Sequence, residues 1–395
     1  MQRILFVDDD SSVLDGLKRM LRPFRHQWDM VFAASGPEAL ELLSRGGFDV
    51  MLTDMRMPDM NGAELLTEVA RRYPQTVRII LSGTWDQDLR MKAAVTAHQY
   101  LAKPCHGERL RGTIQRALAL REKLAIPELR ESITRVVALP SSPAAFEALT
   151  GVLRSAAPSI QEAGAVVSRD MAMTAKVLQL ANSTFFGYGR HITNPAETTA
   201  YLGVESMRAL TFTAPVFSAY ASPCYQRFSL DALERHAGAV TRAAVEIAKS
   251  RNCSKQMLDD TLVAGLLHDI GKLALASEFP RQYDEFLADA PDFPDAERAA
   301  FGASHSEIGS YLLWLWGLPD EVVEAVAFHH EPANCPRREF GPLAAVHIAD
   351  ALERHASLAI DPELDRNYLG ELGLTSQLPA WIEDWERRRA EQGAS

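Results

Sequence analysis

Leu52-Thr53-Asp54-Met55-Arg56-Met57-Pro58 is the stretch that decides the fold of the first third of the chain. An apolar run (Phe48, Val50, Met51, Leu52) ends at a carboxylate, and the proline that follows cannot donate to a ladder, so a strand stops here. In open α/β sheets, chemistry sits just beyond the carboxyl ends of the strands. Asp54 is therefore expected to be displayed rather than buried, as an acceptor for a phosphoryl group.

Outward from this stretch, short apolar runs alternate with helical periods. Strands are expected at Ile4–Val7, Met30–Ala33, Val50–Thr53, Val77–Leu81 and Tyr100–Ala102. Between them lie a helix capped by Ser11, one from Pro37 to Gly46-Gly47, one over Ala63–Arg72 and one over Asp88–Ala97, with a last from Glu108. Five alternations predict a doubly wound five-stranded parallel sheet with right-handed crossovers.

The strand ends share one chemistry. They carry Asp8-Asp9-Asp10, Asp54, Ser82-Gly83 and Lys103-Pro104. Single aspartates at strand ends often cap helices, as Asp9 or Asp10 could, but several carboxylates at one rim repel unless a cation joins them. Hard oxygen ligands suit Mg²⁺. Asp8 and Asp9 would hold it, with Asp54 as nucleophile and the Arg56 backbone carbonyl in reach. Lys103 and the Ser82 hydroxyl would neutralise and orient the phosphoryl oxygens.

These residues, with Met57-Pro58 and Asn61-Gly62, resemble the receiver domain of bacterial response regulators over about residues 1–120. The resemblance implies a flavodoxin-like fold and phosphotransfer from a sensor histidine kinase to Asp54. It also makes Tyr100 the aromatic switch and Thr84 a position that tunes phosphate lifetime.

A helix over Gly107–Leu124 breaks at Ile126-Pro127, and a second pattern starts at Glu128, so residues 121–130 read as a stiff helical linker. Beyond Leu139-Pro140 the strand signals vanish. Helices are expected over Pro158–Val167, Arg169–Ala181, Asn194–Gly203 and Ser206–Tyr220, and the fold class is α/β plus all-α. Of eleven histidines, seven (His236, His268, His305, His329, His330, His347, His355) fall in one third of the chain. His236 is expected to open a helix, and Thr261–Leu267 leads into His268-Asp269. His305 begins a helix and His329-His330 closes another. Imidazoles and carboxylates converging from several helices suit a divalent transition metal (Mn, Fe, Zn or Ni). The ligand set would be His236, His268, Asp269, His305, His329, His330 and Asp350, with Lys272 for a phosphate. Asp269 could bridge two ions and help generate a hydroxide. His347 and His355 are expected to stand outside this set.

His236, His268-Asp269 and Asp350 resemble the signature of HD-type metal phosphohydrolases. His305-Ser306-Glu307-Ile308-Gly309 and His329-His330-Glu331 are similar to the cyclic-dinucleotide phosphodiesterase branch. This chain departs from that branch at Pro332-Ala333-Asn334-Cys335-Pro336-Arg337, where an Asp-Gly-x-Gly-Tyr-Pro-type loop would stand. Residues 131–358, with an HD-like half from about 230 to 358, resemble the HDOD output domain. That match rests on Leu139-Pro140, Ala175-Lys176-Val177-Leu178, Ala181-Asn182-Ser183, Leu202-Gly203, Gly265–Gly271, Trp316-Gly317-Leu318-Pro319 and His329-His330. HDOD domains are generally regulatory relatives whose catalytic set has decayed. Here the set is largely present. Residues 359–395 are expected to cap the bundle as a helical extension.

The resemblance implies a response regulator whose HDOD output binds a downstream protein partner or forms a homodimer; the alternative is a phosphorylation-gated phosphohydrolase acting on a nucleotide or second messenger. A net charge of −11 opposes direct nucleic-acid binding, which needs basic surface. The absence of a long apolar run and of any CxxC pairing among four cysteines points to a cytoplasmic protein without a membrane segment.

Overall fold

The computed structural model describes residues 1–83, 96–103, 107–124, 126–182, 192–213, 216–220, 227–289, 294–358 and 364–393. Five parallel strands, β1 (Gln2–Val7), β2 (Trp28–Ala33), β3 (Val50–Asp54), β4 (Val77–Ser82) and β5 (Gln99–Ala102), pair in the order β2-β1-β3-β4-β5. Alternate side chains serve opposite faces, as the pleat requires. Ile4, Phe6, Val50 and Leu52 enter one core, while Leu5, Val7 and Met51 enter the other. The first of these cores runs without a break into the helical domain.

Several local expectations are corrected. Asp10, not Ser11, caps the Ser11–Leu21 helix, accepting from the Ser12 amide. A carboxylate at that end also complements the helix dipole. The expected Asp88–Ala97 helix lies outside the described residues except for Thr96 and Ala97, which are not helical. The Gly107–Lys123 helix stops before Pro127, which opens the next helix, Pro127–Arg135.

The helical domain begins with Pro143–Arg154, a helix the sequence reading passed over although Ser142 caps it and Pro143 occupies its first position. It packs with Ile160–Val167, Met171–Asn182 and Pro195–Arg208 around Leu149, Val177 and Met207. Gly203, at φ 75°, breaks the Pro195–Arg208 segment where a stop was expected. The following helical turns end at Thr213 rather than Tyr220, and Ala219 instead bridges Ser141.

The second half of the domain is built on Leu230–Ser250, Lys255–Leu267, Ile270–Glu278, His305–Leu315, Asp320–Phe328 and Pro342–Leu358. His236 does not open its helix but lies two turns inside it, after the Ser229 cap. The Leu378–Gly393 helix docks through the indoles of Trp381, which donates to Ser250 Oγ at 2.9 Å, and Trp385, which donates to Glu353 at 2.6 Å. Among the described residues, no helix is long and apolar enough to cross a membrane.

The strand-β5 edge meets the helical domain through hydrogen bonds rather than bare apolar contact. His98 Nε2 lies 2.8 Å from the Thr134 carbonyl. Gln179 donates to the His98 carbonyl at 3.0 Å, and Gln99 donates to the Trp314 carbonyl at 2.6 Å. Arg78 is fully buried beside them and donates to the carbonyls of Thr96, Pro74 and Thr76.

Candidate functional sites: an acidic rim and a histidine–aspartate cluster

The strand order reverses between β1 and β3, which is where an open sheet leaves a crevice. Val7 pairs with Thr53, so the next residues, Asp8 and Asp54, stand side by side at that crevice. Asp54 is buried, not displayed as expected: only 8% of it is exposed. The chain folds back over it so tightly that a Cβ on Gly62 would stand 2.2 Å from the Asp54 carbonyl oxygen. The Arg56 amide donates to Asp54 Oδ2 at 2.6 Å, and Asn61 caps the helix that follows.

Lys103 Nζ ties the rim together, donating to Asp8 Oδ2 at 2.5 Å and to Asp54 Oδ1. Burial pushes the Asp8 carboxyl up despite the lysine. Burial lowers the lysine, but its bonds to Asp54 and Asp8 outweigh this and leave it raised. Asp9 is exposed at the mouth. The rim supplies carboxylate oxygens on either side of one cation, a donor set that fits Mg²⁺. Tyr100, three residues before Lys103 on β5, is buried with its phenol pushed up by burial. The Ser82 side chain and Thr84 lie outside the described residues.

The second site gathers all seven expected ligands. Its carboxylates and imidazoles form two groups, one of Asp269, His305, His329 and His330 and the other of His236, His268 and Asp350. His236 Nε2 is 3.1 Å from Asp350 Oδ1, 3.4 Å from His268 Nε2 and 3.8 Å from Asp269 Oδ2. His268 Nε2 is 3.4 Å from Asp269 Oδ2 and 3.8 Å from Asp350 Oδ1. Tetrahedral bonds of about 2.05 Å put ligand atoms about 3.4 Å apart, so the His236, His268 and Asp350 atoms are spaced to share one divalent ion. Asp269 turns Oδ1 to the other group, 3.2 Å from His305 Nε2 and 3.8 Å from His329 Nε2. Asp269 Oδ1 and His329 Nε2 are buried without a hydrogen bond. Orphaned acceptors of this kind are costly unless a cation serves them.

Outer contacts hold the rings. His268 Nδ1 lies 2.7 Å from the Gly265 carbonyl, and His329 Nδ1 lies 2.9 Å from that of Val326. His305 Nδ1 sits 2.6 Å from Glu297 Oε2, a carboxylate–histidine pair that orients the ring. Arg354 Nη1 lies 3.0 Å from His330 Nδ1, and neither it nor Glu297 is legible in the sequence, because each lies on a different element from the imidazole it touches. Lys272 donates to Asp269 Oδ2 at 2.9 Å. Burial opposes charge on Asp269, but Lys272 and His268 hold its carboxyl well below the usual range. Burial likewise opposes charge on Asp350, yet its bond to His236 and the charges of the histidines around it hold it low. Burial pushes His329 down to about 3. His347 is a brace: Nδ1 lies 2.7 Å from the His329 carbonyl and Nε2 accepts from the Asp365 amide.

Residues 4–115 match the response regulator receiver domain, and residues 139–332 match the HDOD domain. The chain is 31% identical over 180 residues to the hydrogenase transcriptional regulatory protein HoxA of Cupriavidus necator, covering 42% of this chain and 37% of HoxA. It is 36% identical over 132 residues to the response regulator protein PilR of Pseudomonas aeruginosa, covering 33% and 28%. Both matches span well under half of the relative. Among solved structures, the MmoQ response regulator of Methylococcus capsulatus aligns over 62% of this chain and 98% of its own, at 22% identity and a TM-score of 0.48.

Proposed function

Because the chain belongs to the response regulators, with a receiver domain fused to an HDOD domain, we propose that in the cytoplasm a sensor histidine kinase phosphorylates Asp54 and that the HDOD domain answers by binding a protein partner or a second copy of itself. The carboxylate oxygen of Asp54 attacks the phosphorus of a phosphohistidine, the N–P bond breaks, and the imidazole leaves. Asp8, Asp9, Asp54 and the Arg56 carbonyl would hold Mg²⁺, which supplies charge neutralisation at the phosphoryl oxygens. Lys103 and Ser82 orient those oxygens.

The observation that carries this reading is the placement of Lys103. It bridges Asp8 and Asp54 at one end of β5, and the residues four and five positions earlier on the same edge, Gln99 and His98, are bonded to the helical domain. A phosphoryl group adds about −1.5 to −2 charge and three acceptor oxygens. It would pull Lys103 and Ser82 toward itself, Tyr100 would follow, and the bonds at His98 and Gln99 would have to adjust. Beryllofluoride or acetyl phosphate should change the hydrodynamic radius or the protease pattern of the wild type and leave Asp54→Ala unchanged. Identical behaviour of the two proteins would refute the proposal.

A second reading, a gated phosphohydrolase acting on a nucleotide or second messenger, is favoured by the seven converging ligands. An ion held there would activate water for attack on a phosphoester. Asp269→Ala would then abolish both ion binding and turnover; turnover that persists in this variant would remove the reading.

A further inference from the structure

We propose that the groove between the Leu230–Ser250 helix and the C-terminal Leu378–Gly393 helix is a binding site for a small planar aromatic anion. The proposal goes beyond the signalling reading and stands apart from it, because none of the residues it uses belongs to the receiver domain or to the histidine–aspartate cluster.

The C-terminal helix meets the bundle through long side chains. Trp381, Asp384, Trp385 and Arg388 recur at helical spacing on one side of it. The two indoles spend their N–H groups on Ser250 and Glu353, and Arg388 reaches Glu246 at 3.2 Å. Ala239 and Ala243 of the Leu230–Ser250 helix line the same groove, as does Ala380 beside Trp381. Long side chains thus hold the helices apart while short ones leave the space between them unfilled. That space is a cavity of about 900 Å³. Pockets for small ligands run from about 300 to 1,000 Å³ and are lined mainly by apolar and aromatic groups with a few polar ones.

With their N–H groups spent, Trp381 and Trp385 offer a ligand apolar ring surface, and Ile247 and Leu352 extend that apolar wall. An unfilled wall of this kind forgoes the dispersion contacts that a flat ring would supply. The charges then select the sign of the ligand. Glu246 pairs with Arg388 and Lys249, Asp384 pairs with Arg388, and Glu353 accepts from Trp385. Every carboxylate in the wall is therefore engaged already. Arg242 also lines the cavity, is exposed, and has no carboxylate partner among the described residues. Arg389 adds a second guanidinium, 5.4 Å from the centre of the Trp385 ring. A guanidinium keeps its charge and presents a planar fork of donors to a carboxylate, sulfonate or phosphate. A cationic ligand would meet Arg242 and find no uncommitted carboxylate, and an uncharged ring would leave that guanidinium unused. Nucleoside monophosphates and aromatic carboxylic acids share the chemistry that remains.

The test titrates full-length protein with anilinonaphthalene sulfonate, a fluorescent aromatic anion. Its emission should saturate at one bound probe per chain. Arg242→Glu should weaken binding about tenfold, the loss of one charge-assisted contact. Ala243→Phe, which fills the cavity, should abolish binding, and Arg22→Glu on the receiver surface should leave it unchanged. Should Ala243→Phe not fold, the exposed Arg242 position decides by itself. Displacement of the probe by AMP assigns the site to nucleoside phosphates, and displacement by indoleacetate assigns it to aromatic acids. Absence of saturable binding to the wild type, undiminished binding in Arg242→Glu, or a probe that neither competitor removes would each overturn the proposal. Phosphodonor loading of Asp54 is scored separately, so the two readings fail independently.

Discussion

Gly271→Ala should be among the most damaging single-atom additions in the chain. A Cβ at position 271 would stand 1.9 Å from the His305 carbonyl oxygen, 2.7 Å from its carbon and 2.8 Å from its Cα. Ordinary carbon–oxygen contacts lie at about 3.3 Å, so the Ile270–Glu278 and His305–Leu315 helices must part by about 1.4 Å. Gly309 faces Gly271 from the other side, where its own added Cβ would meet the Gly271 nitrogen at 3.1 Å. The obstacle is backbone on both sides, which no rotamer change relieves. Overpacking costs about 1–3 kcal/mol, and this case belongs at or above the top of that range. His305 opens the displaced helix, so its Nε2, 3.2 Å from Asp269 Oδ1, shifts with it. Urea unfolding followed by tryptophan fluorescence suits the question, because Trp314 and Trp316 lie at the end of the displaced helix. A loss below about 1 kcal/mol would refute the close-packing argument.

The same reasoning gives the opposite sign elsewhere. Gly151, exposed on the Pro143–Arg154 helix, has nothing within 4 Å of an added Cβ, so Gly151→Ala should stabilise by about 0.5–1 kcal/mol in the same melts. Gln179→Ala removes the bond to the His98 carbonyl and should cost about 1–3 kcal/mol while speeding amide exchange along β5; unchanged exchange there would argue against domain coupling through this edge. Burial, reinforced by the charge of Arg78, pushes the His98 imidazole well below 6.5, and its Nδ1 accepts from the Arg78 amide. Its stabilising contribution is therefore full above about pH 6.5 and is lost as pH falls below it, at about 1.4 kcal/mol per unit of depression. His98→Gln should remove that part of the pH dependence between pH 7.5 and 5.5, and an unaltered profile would contradict the assignment.

Local pattern determined much of this protein without any coordinates. All five strands follow from short apolar runs, and four of them end at a chemistry-bearing residue, at aspartate, serine-glycine or lysine-proline. Such signals live within a few residues. The histidine set was legible for a related reason: His268-Asp269 and His329-His330 fall at helix junctions, where a side chain can turn toward a shared centre. Local pattern misjudged Asp54, because the loop closing over it depends on Gly62 passing within contact of the strand. It also placed the start of the His236 helix six residues late, although Leu230 and Leu233 continue the buried stripe back to the Ser229 cap.

Only the tertiary structure decided which nitrogen of each histidine faces the cluster. Tautomers are set by partners such as the Gly265 carbonyl, Glu297 and Arg354, and no periodicity encodes a contact between residues that are far apart in the chain. The joining of the domains belongs to the same class. The bonds from Gln99 to Trp314 and from Gln179 to His98 span 215 and 81 positions. The chain order names such residues, but only the packing of the two cores brings them within reach of one another.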